Sequence, residues 1–135
     1  MINRKRKGTN AERELVHLFW SKGWPCVRVA GSGSIRYPVP DILVSNGLKP
    51  VAIEIKIVGS GYKYFSRKEI DDLILFSSKF GAMPFVAVKF SGSPWLFVSV
   101  ENLVETPHGF SVRVSEGEVK GMFFEDFIDL VDSLS

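Results

Sequence analysis

The sequence predicts an α/β fold, a single domain with a mixed central β-sheet flanked by helices. Three observations predict it. Apolar residues recur at helical spacing in three places, near residues 9–22, 66–80 and 123–134. Between them lie short apolar runs with two-residue alternation, bounded by Gly, Pro, Ser and Asn. The resulting order, α-β-ββ-α-ββ-(β)-α, has neither internal repeat nor linker, and 135 residues with 45% hydrophobic content suit one domain with a sizeable core.

In chain order, MINRKRKGTN reads as a basic arm over residues 1–8, flexible until Thr9 caps a helix to about Lys22, where Gly23 stops it. Ala11, Leu15, Leu18 and Phe19 form its apolar stripe, and Glu12 lies at the stripe's edge. PCVRVA, from Pro25 to Ala30, reads as a strand, and GSGSIRYPVP as a loop. A hairpin through Asn46-Gly47 follows, joining DILV to VAIEIKI. Alternation in the second run sends Val51, Ile53, Ile55 and Ile57 to one face and Ala52, Glu54 and Lys56 to the other. GSGYKYF reads as a second loop, and Ser66 to Glu69 as the capping box of a helix to about Phe80. That helix turns Ile70, Leu73, Ile74, Ser77 and Phe80 inward, with Leu75 outside and Phe76 at the margin. Pro84–Phe90 and Pro94–Val100 read as a strand pair turned at SGS, VENLVE as one helical turn, and Phe110–Val114 as a short strand. FFEDFIDLVDSL closes the chain as a helix with Phe124, Phe127, Ile128 and Val131 inward.

Composition narrows the function. No apolar run reaches a membrane span and no signal-peptide core follows the basic start, so a soluble, intracellular (cytoplasmic) chain without membrane partner is expected. One cysteine, Cys26, excludes an intrachain disulfide, and one Cys with two His disfavours structural zinc. Net charge is only +2, but it is uneven: Arg4, Lys5, Arg6 and Lys7 are consecutive, whereas the last twenty residues are acidic. That run is either a nucleic-acid contact or a solvated tail.

The chemistry concentrates in Asp41–Lys56. The hairpin brings Asp41 close to Glu54, with Lys56 beside Glu54 at about 7 Å along the strand. Two carboxylates and a lysine at one sheet edge are costly to hold without a counter-ion, and Mg²⁺ or Mn²⁺ would supply one. Asp41, Glu54 and the backbone carbonyl of Ile55 would be ligands, and Glu12 could join from the first helix. Lys56 is suited to orienting or deprotonating water, or to stabilising charge on a phosphate. Ser32 and Ser34 could contact that phosphate, and Tyr62, Tyr64 and Phe65 could stack on bases. Each has a plainer reading: Glu12 as part of a capping box with Thr9, Glu54 and Lys56 as a surface pair on an edge strand, Asp41 as a turn residue, the serines as loop solvation.

RKGTNAERELV, RVAGSGS, PVPDILV, AIEIK and FGAMPFVAVKF, in that order, resemble the archaeal Holliday junction resolvases, the Hjc and Hje family within the PD-(D/E)xK nucleases. The resemblance runs from about Arg6 to Phe90. It implies a restriction-endonuclease-like fold and a Mg²⁺-dependent endodeoxyribonuclease, with Mn²⁺ able to substitute and no small-molecule cofactor. The enzyme would act as a homodimer on four-way junction DNA, placing paired symmetric nicks near the crossover in recombination and repair. It implies a catalytic set of Glu12, Ser32, Asp41, Glu54 and Lys56, with Glu12, Asp41 and Glu54 holding metal. It implies DNA contacts at Arg13, Arg28 and Lys89, to which charge adds Arg4, Lys5, Arg6 and Lys7. Leu75, Phe76 and the PWLFVSV strand are expected at the dimer interface. The rivals are another nuclease of this superfamily, acting on linear or flapped DNA, and a non-catalytic DNA-binding module.

Overall fold

The computed structural model describes residues 4–31, 34–59, 62–113 and 121–134. Helix α1 (Arg4–Ser21) begins the described chain. It starts at Arg4 rather than Thr9, so residues 4–8 are helical where a flexible arm was expected. Arg and Lys are good helix formers and no proline intervenes, so Thr9 lies inside the helix instead of capping it. Strands β1 (Cys26–Arg28), β2 (Ile42–Ser45) and β3 (Pro50–Val58) follow. Next come β4 (Tyr62–Ser66), helix α2 (Arg67–Phe80), β5 (Met83–Phe90) and β6 (Leu96–Ser99). A single 3-10 turn (Val100–Asn102), β7 (Val104–Thr106), β8 (Gly109–Arg113) and helix α3 (Phe124–Ser133) complete the fold.

The main sheet has the order β1-β2-β3-β5-β6. β3 and β5 are parallel and α2 provides their crossover; every other neighbouring pair in it is antiparallel. The segment expected to be an aromatic loop is β4, which pairs with β8 in a second sheet of order β4-β8-β7. Its partner lies far along the chain, so no local turn signal marks it, and Gly59 and the alternating aromatics read as a loop.

The main sheet is covered on both faces, by two separate apolar clusters. On one face Leu15 and Phe19 of α1 and Phe127 and Val131 of α3 meet Val51, Ile53 and Ile55 of β3. On the other, Ile70 and Leu73 of α2 meet Ala52, Val86 and Val88, with Phe65 of β4 beside them. The alternation of β3 therefore directs Glu54 and Lys56 to the α2 side. Two expectations for α2 change. Ile74 and Phe80 are exposed, because the helix packs through the narrow row Ile70, Leu73 and Ser77. Most of the PWLFVSV strand packs into the core: Trp95, Phe97 and Val98 are buried, Phe97 stacking on Phe127 at 4.5 Å. Phe65, expected to stack on bases, is also buried.

Candidate active site

The β2–β3 register pairs Ile42 with Ile53, which places Asp41, one residue earlier, opposite Glu54. Asp41 sits at a bend whose main chain is fixed on both sides. Its N–H donates to the Ile53 carbonyl at 3.1 Å, and its carbonyl accepts from the Val29 N–H at 2.9 Å. Its carboxylate then acts in place of a strand partner: Oδ2 accepts the Ile55 N–H at 2.8 Å. That bond engages the N–H of Ile55, the residue whose carbonyl was expected to face a metal. Buried Pro40 limits the approach to this bend.

Glu54 is partly buried beside that carboxylate. Burial pushes its carboxyl up to about 9, and its hydrogen bond to Asp41 and the charge of Asp41 act in the same direction, against the opposing pull of Lys56. Glu54 is thereby biased toward its protonated form beside Asp41. This is a strained electrostatic arrangement, and oxygen donors of this kind yield their proton to a hard divalent cation.

Lys56 reaches across to α2, where its Nζ lies 3.0 Å from Glu69 Oε2. Burial alone would lower the lysine, but the bond to Glu69 and the charges of Glu69, Glu54 and Asp41 outweigh it and hold the ammonium above its ordinary range. Glu69 has the mirror behaviour. Burial would raise it, but Lys56 and the bonds with Ser66 hold it lower. The other oxygen of Glu69 accepts the Ser66 N–H at 3.2 Å, and Ser66 Oγ accepts the Glu69 N–H at 3.1 Å. The capping box legible in the sequence thus carries a second bond that is not, because the sequence marks Glu69 only as the third residue of a helix.

Glu12 is not gathered into this group. Arg28 donates to Glu12 Oε2 from Nε and Nη2, both at 3.0 Å. The reason is topological: α1 packs on the opposite face of the sheet from Glu54 and Lys56, and Arg28 on edge strand β1 is the nearer partner. Glu12 is not part of a capping box either, since the helix begins upstream. Among the described residues, no three His, Cys, Asp or Glu side chains converge on one metal-sized point. Asp41 and Glu54 face each other as oxygen donors suited to a divalent cation, while Glu12 is engaged by Arg28.

Arg13 is exposed on α1. Lys89 donates to Glu14 Oε1 at 3.1 Å, an oxygen that also accepts the Trp95 indole N–H at 3.3 Å. Ser34 lies on the exposed loop, its hydroxyl donating to the Gly31 carbonyl at 3.3 Å. Ser32 lies outside the described residues, as do the side chains of Arg4, Lys5, Arg6, Lys7 and Tyr62. His17 and His108 are both exposed and far from the strand pair in sequence.

A proline–aspartate bend ahead of one strand and Glu-Ile-Lys within its neighbour, on a mixed sheet between helices, define the class: an α/β protein of the PD-(D/E)xK type. Residues 3–135 match the family model described as archaeal Holliday junction resolvase (Hjc). The chain belongs to that family. It is 37% identical over 129 residues to the crossover junction endodeoxyribonuclease Hjc of Archaeoglobus fulgidus, covering 90% of this chain and 95% of the relative. It is 32% identical over 99 residues to the Hjc of Methanocaldococcus jannaschii, covering 73% and 70%. The crystal structure of A. fulgidus Hjc, a Holliday junction resolvase, superposes with a TM-score of 0.82 at 34% identity, over 89% of this chain and 98% of that one.

Proposed function

We propose that this chain is an endodeoxyribonuclease that resolves four-way DNA junctions by paired nicks, acting with Mg²⁺ as a homodimer on DNA inside the cell. The observation that carries the reading is the pairing of Asp41 with Glu54 across adjacent strands, with Lys56 on the same sheet face, in a chain of this family. Asp41 and Glu54 would hold the cation. A cation held there would supply Lewis-acid chemistry, polarising the phosphate and acidifying a water. Asp41 Oδ2 keeps the Ile55 peptide fixed, so the two carboxylates present a preformed pair of donors. Lys56 is a protonated donor in this setting, which suits it to charge on a phosphate oxygen better than to removing a proton. Arg13 is exposed and would meet phosphates, as would Arg28 and Lys89 on leaving their carboxylate partners. No helix among the described residues is long and apolar enough to cross a membrane.

The test is cleavage of an end-labelled four-way junction beside linear duplex of the same arms, with Mg²⁺ and with chelator. Paired nicks in opposing strands, seen only on the junction and only with metal, are expected. Asp41→Ala and Glu54→Ala should each abolish cleavage, a loss of at least about 10³-fold, while junction binding persists. Cleavage of duplex at a similar rate would indicate another nuclease of the superfamily. Binding without cleavage would indicate a binding module.

A further inference from the structure

We propose that Glu69 is a positioning residue for Lys56, so that the N-terminus of α2 sets where the lysine's charge sits in the active site. This inference rests on the nuclease reading above. It starts from a geometric division of labour within one carboxylate. Glu69 Oε1 is committed to the Ser66 N–H, and Oε2 meets Lys56 Nζ at 3.0 Å. The carboxylate itself is held by that backbone bond, and α2, which carries it, is seated by Ile70 and Leu73. Lys56 has four rotatable bonds, and its strand fixes only its Cα. Without a partner its ammonium would sample positions that differ by several ångströms, and displacement of a catalytic group by about 1 Å can cost 10²-fold in rate.

Two alternatives do not account for the arrangement. As a cap alone, Glu69 needs one oxygen, and a glutamine would serve equally. As an ordinary surface ion pair, it would join exposed side chains, as Arg67 and Glu105 do at 45% and 65%. Here both partners are only about a third exposed, 31% for Lys56 and 36% for Glu69, and one of them is the lysine of the E-x-K motif.

The two roles of Glu69 can be separated by substitution. Glu69→Gln keeps an oxygen for the Ser66 N–H but turns a donor NH₂ toward Lys56, so the cap survives and the anchor is lost. Ser66→Ala does the reverse: it weakens the cap but leaves the Ser66 backbone N–H and the Lys56–Glu69 pair in place. Each variant is compared with the parent for junction affinity, melting temperature and single-turnover cleavage at saturating enzyme with Mg²⁺. Glu69→Gln should lose about tenfold or more in the cleavage step with affinity and melting temperature unchanged. Ser66→Ala should melt lower and cleave within about threefold of the parent. Cleavage by Glu69→Gln within twofold of the parent overturns the inference and leaves the nuclease reading intact. Equal rate losses in both variants also overturn it, since the cap would then be the cause. A parent that cuts no junction removes the nuclease reading, and this inference with it.

Discussion

Glu54 carries the sharpest consequence of placing two carboxylates on adjacent strands. An ordinary glutamate titrates near 4.5, whereas burial and Asp41 push Glu54 up to about 9. The folded protein thus binds a proton that the unfolded chain has released. Where the folded state binds more protons, stability falls as pH rises, so this residue costs nothing below about pH 4.5 and progressively more up to about pH 9. Glu69 acts in the opposite sense. Its lowered carboxyl contributes stability that is full above its ordinary value of 4.5 and is lost as pH falls below it. The metal-free protein should therefore melt at falling temperature as pH is raised from 5 to 9. Glu54→Gln, an isostere of the protonated acid, should flatten that slope and gain about 1–3 kcal/mol near pH 8. Calorimetry of both proteins in chelator across this range checks it, and parallel curves would show that Glu54 is ionised in the native state. The same residue shows what a sequence conveys at this scale. Alternation along VAIEIKI is enough to put Glu54 and Lys56 on one face, and Asn46-Gly47 is enough to bring Asp41 opposite. The partners of Glu12 and Lys56 depend on which helix covers which face, and no local pattern encodes that.

At the scale of elements, legibility follows the range of the interactions that define them. Helix α2 is legible at both ends because its signals are local: the Ser66–Glu69 box begins it and Gly81, at φ 85°, ends it. The β2–β3 turn is legible for the same reason, Asn46 Oδ1 accepting the Leu48 and Lys49 N–H groups at 2.9 and 2.8 Å. β4 is not, because it is a strand only by virtue of β8, to which it pairs from Tyr62↔Arg113 to Ser66↔Gly109. That pairing requires glycine at one point. A Cβ at Gly109 would lie 2.3 Å from the Phe65 carbonyl oxygen and 2.8 Å from the Tyr64 hydroxyl. Gly109→Ala should therefore separate β8 from β4 and cost about 2–4 kcal/mol. Gly92, at φ 76° in the β5–β6 turn, has open space around its missing Cβ, so Gly92→Ala should cost only about 1 kcal/mol, from backbone strain. Urea denaturation of both variants measures the difference, and equal midpoints would show that β4 and β8 adjust freely. Because β4 runs directly into Ser66 and Glu69, loosening the small sheet should also reach the lysine through α2.

At the scale of the whole molecule, the helix that anchors the active site also carries exposed apolar side chains. Ile74, Leu75 and Phe80 are 42%, 49% and 55% exposed, and Phe76 and Phe80 stack with ring centroids 5.2 Å apart. The sequence places Leu75 on the outer side of this helix, but helical periodicity alone folds Ile74 and Phe80 inward; the narrow contact made by Ile70, Leu73 and Ser77 is what leaves them out. Exposed apolar side chains are better hidden by association than left in water, and a closed two-fold pair is the simplest arrangement that hides such a surface on each of two copies. It also suits the substrate, since a four-way junction has near two-fold symmetry and paired nicks need two sites related in the same way. We propose that α2 meets α2 of a second copy. The parent should then sediment as a dimer at micromolar concentration, and Leu75→Glu with Phe80→Glu should make it a monomer. Both side chains are half in solvent, so the melting temperature of each monomeric fold should change little beyond the loss of association. On a supercoiled plasmid that extrudes a cruciform, paired cuts within one binding event linearise the circle, whereas independent cuts leave it nicked first. The parent should yield linear product directly and the double variant nicked circles. A parent that sediments as a monomer, or a double variant that remains dimeric, would place the interface elsewhere or remove it, and linear product from a monomeric variant would separate paired cutting from dimerisation through α2.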